Sequence, residues 1–131
     1  MTSEGRREAA AEELRLAEEE LRATEQLMQL GLLRIAAART YFAVFHAVRA
    51  RLYAEGLEPR THGGVLHLWN IHFVRTARYD ASTSRLLAKL QKFRQEADYA
   101  QAFIVDEAGA REDLEAARSL VERIRQELES A

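Results

Sequence analysis

ARTYFAVFHAVRARLYAEG, residues 38–56, decides the fold class. The stretch has no proline, stops at a glycine, and its bulky apolar residues recur at helical spacing. At ~100° per residue, with Arg39 at zero, Ala38, Tyr41, Phe42, Val44, Phe45, Val48 and Leu52 fall on an arc of about 140–300°. That arc is a core face. Arg39 and His46, seven residues apart, lie within about 20° of each other near the opposite side. Ala36, Ala43, Ala47 and Ala50 flank them. Such a low stripe lets another backbone approach closely, from the same bundle or from a second subunit.

The rest of the chain is helical in the same way. Leu14, Leu21 and Met28 repeat at sevens within a helix expected over about Ser3–Gln29, with Ser3 as its cap. The helix of the opening stretch is expected over about Leu32–Glu55. A short one covers about Val65–Ala77. A fourth, capped by Asp80, Ser82 or Thr83, extends to about Ala102. FIVDEAGA is expected as a connector that tucks Phe103, Ile104 and Val105 into the core. Leu114, Ala117, Val121, Ile124 and Leu128 mark a last helix over about Ala110–Glu129. The expectation is all-α: an antiparallel up-and-down bundle of four long helices plus one short one, forming a single domain over residues 1–131.

Composition limits the function classes. Apolar residues make up 47% and charged residues 31% of 131, which suits a globular chain with one core. There is no cysteine, hence no disulfide and no thiolate metal site. No apolar run approaches the ~18 residues of a membrane span, and the N-terminus is charged from Glu4, so a cytoplasmic location is expected and no membrane association. His62, His67 and His72 are spaced by fives, unlike metal ligands that share a helix face. No phosphate-binding glycine motif occurs. Neither metal nor cofactor is expected.

The net charge of −2 conceals a pattern. Residues 1–30 and 106–131 each hold 4 basic and 8 acidic side chains, whereas residues 31–105 hold 11 and 5. Either the middle faces an anion, or acidic end helices pack beside basic central ones and the charges match internally. The same duality holds for individual residues. A guanidinium offers paired donors to phosphate and an imidazole exchanges a proton near neutral pH, so Arg39 and His46 suit a phosphodiester; they suit a structural pair as well. Arg60 and His62 sit in a glycine-flanked loop fit for an anion, and a helix cap by Thr61 explains the same residues. Arg94 and Asp98, four apart, form either part of a site or a surface ion pair, with Tyr99 beside them. Trp69 and Phe73 are expected to fill core.

ARTYFAVFHAVRARL resembles the signature helix of HEPN domains, in particular the small stand-alone prokaryotic kind. GLEPRTHGGVLHLW is similar to that subgroup's Pro–basic–Thr-His–x–Gly segment, and KFRQEADYA to its Arg–x3–Asp-Tyr motif. The resemblance covers roughly residues 10–128. It implies a helical bundle, frequently dimeric, acting as a metal-independent ribonuclease through an Arg-x4–6-His motif, here Arg39 and His46. It also implies Thr40, Arg60, His62, Arg94, Asp98 and Tyr99 as RNA- or nucleotide-binding residues, and a minimal nucleotidyltransferase as antitoxin partner. Two departures stand out. Val48 occupies the place where some family toxins carry a tyrosine that the partner modifies with AMP, and Thr40 follows the arginine where many active members have asparagine. Together with the absence of an evident second acid–base residue, these departures support an alternative: a non-catalytic module that binds nucleotide or the partner through the same face.

Overall fold

The computed structural model describes residues 1–97 and 105–130. Within them the chain forms α1 (Ser3–Gln29), α2 (Leu33–Ala54), α3 (His62–Trp69), which runs on as a π turn (Asn70–Val74), α4 (Ala81–Ala97) and α5 (Glu107–Ser130). No strand occurs among the described residues. The fold is an all-α bundle of four long helices and one short one.

The helix ends follow local chemistry. Thr2, not Ser3, caps α1, its hydroxyl accepting from the Gly5 amide at 2.9 Å. A tight turn joins α1 to α2, and Gly31 at φ +74° takes the left-handed conformation that this reversal needs. Gly56, at φ +84°, ends α2 the same way. Thr61 caps α3 through the Gly64 amide at 2.9 Å, so α3 starts three residues before the expected Val65. It gives way to the π turn before the expected Ala77. Asp80 precedes α4 and accepts from the Ser82 amide at 2.9 Å. The EAGA part of the expected connector is helical: Asp106 accepts from the Ala108 amide at 3.1 Å, and α5 begins at Glu107. Phe103 and Ile104 lie outside the described residues, whereas Val105 packs against Met28, Ala36, Ala110 and Leu114.

α2 is the central element, packed on α1, α4 and α5. Pairing fixes the directions. Arg39 and His46 of α2 meet Glu20 and Glu13 of α1, so partner numbers fall along α1 as they rise along α2. Arg51 meets Glu127 at the far end of α5, while Thr40 lies beside Asp113 near its start, so α2 and α5 run the same way across the bundle diagonal. Tyr41, Val44, Phe45, Val48 and Leu52 pack with Val65, Trp69, Phe73, Tyr79, Leu87, Leu90 and Ile124 in the main core. Trp69 and Phe73 fill core as expected, their ring centroids 4.6 Å apart.

Two sequence expectations are resolved by this packing. Ala36, Ala43, Ala47 and Ala50 are all 0% exposed. The close approach they permit is taken up within the chain, where α1 makes the most extensive helix–helix contact of the fold along α2. The alanine stripe therefore offers no surface to a second subunit. The acidic–basic–acidic pattern is also met internally to a large extent. Glu13 and Glu20 of α1 pair with His46, Arg49 and Arg39; Glu127 and Asp113 of α5 pair with Arg51 and Lys89.

Candidate functional site

With α1, α4 and α5 against it, α2 keeps one partly open face. It is a single row: Leu32 just before the helix, then Ile35, Arg39, Phe42, His46, Arg49 and Tyr53, at alternating steps of three and four. Its first end is apolar and open, with Leu30, Leu32 and Ile35 exposed at 71%, 44% and 42%. Its middle alternates cation and ring. The Arg39 guanidinium lies 4.5 Å over the Phe42 ring and that of Arg49 5.0 Å over Tyr53.

α1 supplies the anions beneath. Glu13, 8% exposed, accepts from His46 Nδ1 at 2.7 Å, and its other oxygen stands 3.4 Å from Arg49 Nη1. A carboxylate can only accept, so the His46 hydrogen sits on Nδ1 and the lone pair of Nε2 lies on the opposite side of the ring. Glu20 accepts from Arg39 Nη1 at 3.3 Å. The single-point contact leaves other edges of the guanidinium for a second anion.

The loop after α2 and helix α4 complete the cluster. His62 opens α3, with its ring stacked 4.4 Å from Phe45, whose edge also meets the His46 ring at 5.3 Å. The Tyr41 hydroxyl is hydrogen-bonded to His62 Nδ1. Burial pushes the Tyr41 phenol up to about 12, although nearby Arg94 pulls it down, so it keeps its proton. Burial, then Arg94, Arg49 and His46, hold the His62 imidazole below its ordinary range. Arg94 reaches in from α4 and sits 5.2 Å over Phe42 and 5.9 Å over Tyr41.

Of the residues expected from sequence, Arg39, His46, His62 and Arg94 come together around Phe42 and Phe45. Thr40 does not join them. It is 2% exposed and its hydroxyl donates to the Ala36 carbonyl at 2.9 Å, because the residue after Arg39 turns into the bundle. Arg60 is exposed on the loop, before the Thr61 cap. Asp98 and Tyr99 lie outside the described residues. Glu13, Glu20 and Arg49 were not anticipated. A signal existed: Glu13 and Glu20 are seven apart, like Arg39 and His46, on a helix joined to α2 by a short turn. Folding that hairpin about Leu30 brings the two pairs into register.

Comparison with known proteins identifies the family of this bundle. A model of the HEPN domain matches residues 10–131. A protein named "putative toxin" from Methanocaldococcus jannaschii is 35% identical over 86 residues, 66% of this chain and 64% of that protein. A UPF0332 protein from Pyrococcus horikoshii is 36% identical over 69 residues, 53% of this chain and 49% of that one. A second "putative toxin" of Methanocaldococcus jannaschii is 31% identical over 83 residues, 63% and 56% of the respective chains. The chain thus matches between 49% and 64% of these relatives' own lengths. With the domain match running over nearly the entire bundle, and the Arg–His row on its central helix, the chain belongs to the HEPN domain family.

Proposed function

We propose that this HEPN protein is the toxin of a toxin–antitoxin pair and a metal-independent endoribonuclease. The observation that carries this reading is the convergence of Arg39, His46 and Arg49 on one partly open row, with the His46 tautomer fixed by Glu13. His46 Nε2 takes the proton of an RNA 2′ hydroxyl, and the resulting imidazolium is stabilised by the Glu13 carboxylate. Arg39 offers its remaining N–H edge to the phosphoryl oxygens as charge builds there. In this arrangement guanidinium groups do the electrostatic work that a divalent cation does elsewhere. RNA is the substrate class because the chemistry uses the neighbouring hydroxyl as nucleophile.

The toxin role rests on the names of the relatives, and the partner on the resemblance to chains that act with a minimal nucleotidyltransferase. Val48 is buried in the core, so partner control through a modified side chain at that position does not apply here. The dimer remains part of the proposal, with a changed interface. The alanines are used up by α1; the exposed Leu30, Leu32 and Ile35, which lead into the Arg–His row, take their place. A two-fold contact there sets two copies of the row across one cleft.

One observation favours the alternative of a non-catalytic nucleotide- or partner-binding module: Glu20 and Glu13 already neutralise Arg39 and Arg49. Cleavage of a mixed RNA in EDTA separates the two. The ribonuclease reading expects turnover by the wild type and a loss of about 10²–10⁴-fold in His46→Ala. Saturable nucleotide binding with no turnover supports the module.

A further inference from the structure

Cleaving RNA through its 2′ hydroxyl needs two proton movements: one off the attacking oxygen, one onto the leaving oxygen. His46 serves the first. The cleft holds another imidazole in the complementary state. His62 Nδ1 is hydrogen-bonded to the Tyr41 hydroxyl, and with the phenol as donor its own hydrogen sits on Nε2; His46 carries hydrogen on Nδ1 and a lone pair on Nε2. Both Nδ1 atoms are anchored inward on their own partners. Both rings rest against Phe45, one stacked at 4.4 Å and the other edge-on at 5.3 Å.

We infer that His62 is the second proton-transfer group of this cleft, donating from Nε2 to the leaving 5′ oxygen while His46 Nε2 removes the 2′ proton, both within one protomer. The inference rests on the ribonuclease reading. In the step, the 2′ O–H bond breaks and its proton goes to His46 Nε2. The 2′ oxygen bonds to phosphorus, the bond from phosphorus to the 5′ oxygen breaks, and that oxygen receives the proton of imidazolium His62. A cyclic phosphate and a free 5′ hydroxyl result, and no electrons change hands.

His62 must be charged to do this. The groups that face it are Arg94 from α4, Arg49 and His46 from α2, and the Tyr41 hydroxyl; burial first, then the charges of Arg94, Arg49 and His46, hold the imidazole below its ordinary range. A bound phosphodiester brings an anion among those cations, offsets their charge at the ring and favours the imidazolium. Tyr41 then turns its hydroxyl to accept from Nδ1. The His62 proton is thereby taken up with the substrate. The loop is built to hold the ring still. Thr61 caps α3, and a side chain at Gly64 would press the cap oxygen at 3.0 Å, while a Cβ at Gly63 would meet nothing within 4 Å and leaves the approach open.

The test compares two substrates: a diribonucleotide, whose alkoxide leaving group needs a proton, and a ribonucleoside 3′-(4-nitrophenyl phosphate), whose leaving group does not. His62→Ala is expected to lose about 10²-fold or more on the first and to stay within a few-fold of wild type on the second. His46→Ala loses on both. Equal losses of His62→Ala on the two substrates, or none on either, overturn the assignment and leave the ribonuclease reading intact. A wild type that cleaves neither overturns both. Long-range proton–nitrogen NMR on the wild type gives an independent readout: Nδ1–H in neutral His46 and Nε2–H in neutral His62 are expected. The same tautomer in both contradicts the inference.

Discussion

His46 donates its Nδ1 hydrogen to Glu13 Oε2 at 2.7 Å, and the other oxygen of that carboxylate stands 3.4 Å from Arg49. One buried anion thus holds two side chains of the next helix. Glu13→Ala leaves both donors facing a largely dry helix contact and is expected to cost about 1–3 kcal/mol in urea unfolding. Glu13→Gln keeps an acceptor for His46 without the charge and costs less. A Glu13→Ala protein as stable as wild type removes Glu13 from the account.

The alanine stripe gives a second test. Ala47 is 0% exposed where α1 crosses α2. Ala47→Leu forces the two helices apart and is expected to destabilise by about 1–3 kcal/mol. A solvated or inter-subunit alanine would tolerate the change with a far smaller loss in dilute monomer.

Most of this architecture was legible in the sequence, because helical periodicity and glycine stops act locally. The central helix, its core arc and the Arg39–His46 row follow from residues 38–56 alone. The boundaries of α3 and α5 were displaced by side-chain caps: Thr61 and Asp106 start their helices earlier than the apolar pattern does. Thr40 could not be placed from its neighbour, since adjacent helix residues point about 100° apart and only the third dimension says which of them is covered. Glu13 and Glu20 were hidden for the opposite reason. In α1 they look like any other solvated glutamates until the hairpin closes and sets them under His46 and Arg39.

The pH dependence of stability carries a sign. His62 is held below its ordinary value of 6.5, so the unfolded chain binds the proton that the folded chain resists. Its contribution is intact above about 6.5 and is lost as pH falls through the folded value. Glu55, held low first by its Arg78 hydrogen bond, loses its contribution only below about 4.5. Glu127 behaves likewise: burial works against its charge, but hydrogen bonds from Tyr79 and Arg51 outweigh it. Between about pH 7.5 and 5.5, wild type is therefore expected to lose more unfolding free energy than His62→Gln, measured by urea titration at each pH. Parallel curves contradict the electrostatic picture of the cleft.

The dimer proposal turns on Ile35. Sedimentation equilibrium at micromolar concentration is expected to show a wild-type dimer and an Ile35→Asp monomer, because a carboxylate cannot be left unpaired in the centre of an apolar contact. A monomeric wild type, or a dimer indifferent to Ile35→Asp, overturns the proposed interface.

The most direct measurement of the central claim is product analysis of RNA cut in EDTA. Wild type is expected to leave 2′,3′-cyclic phosphate and 5′-hydroxyl ends, to spare a strand carrying 2′-deoxyribose at the scissile nucleotide, and to lose this activity in both His46→Ala and Arg39→Ala. Ends bearing 5′ phosphate, cleavage unchanged in His46→Ala, or intact RNA throughout would contradict the account.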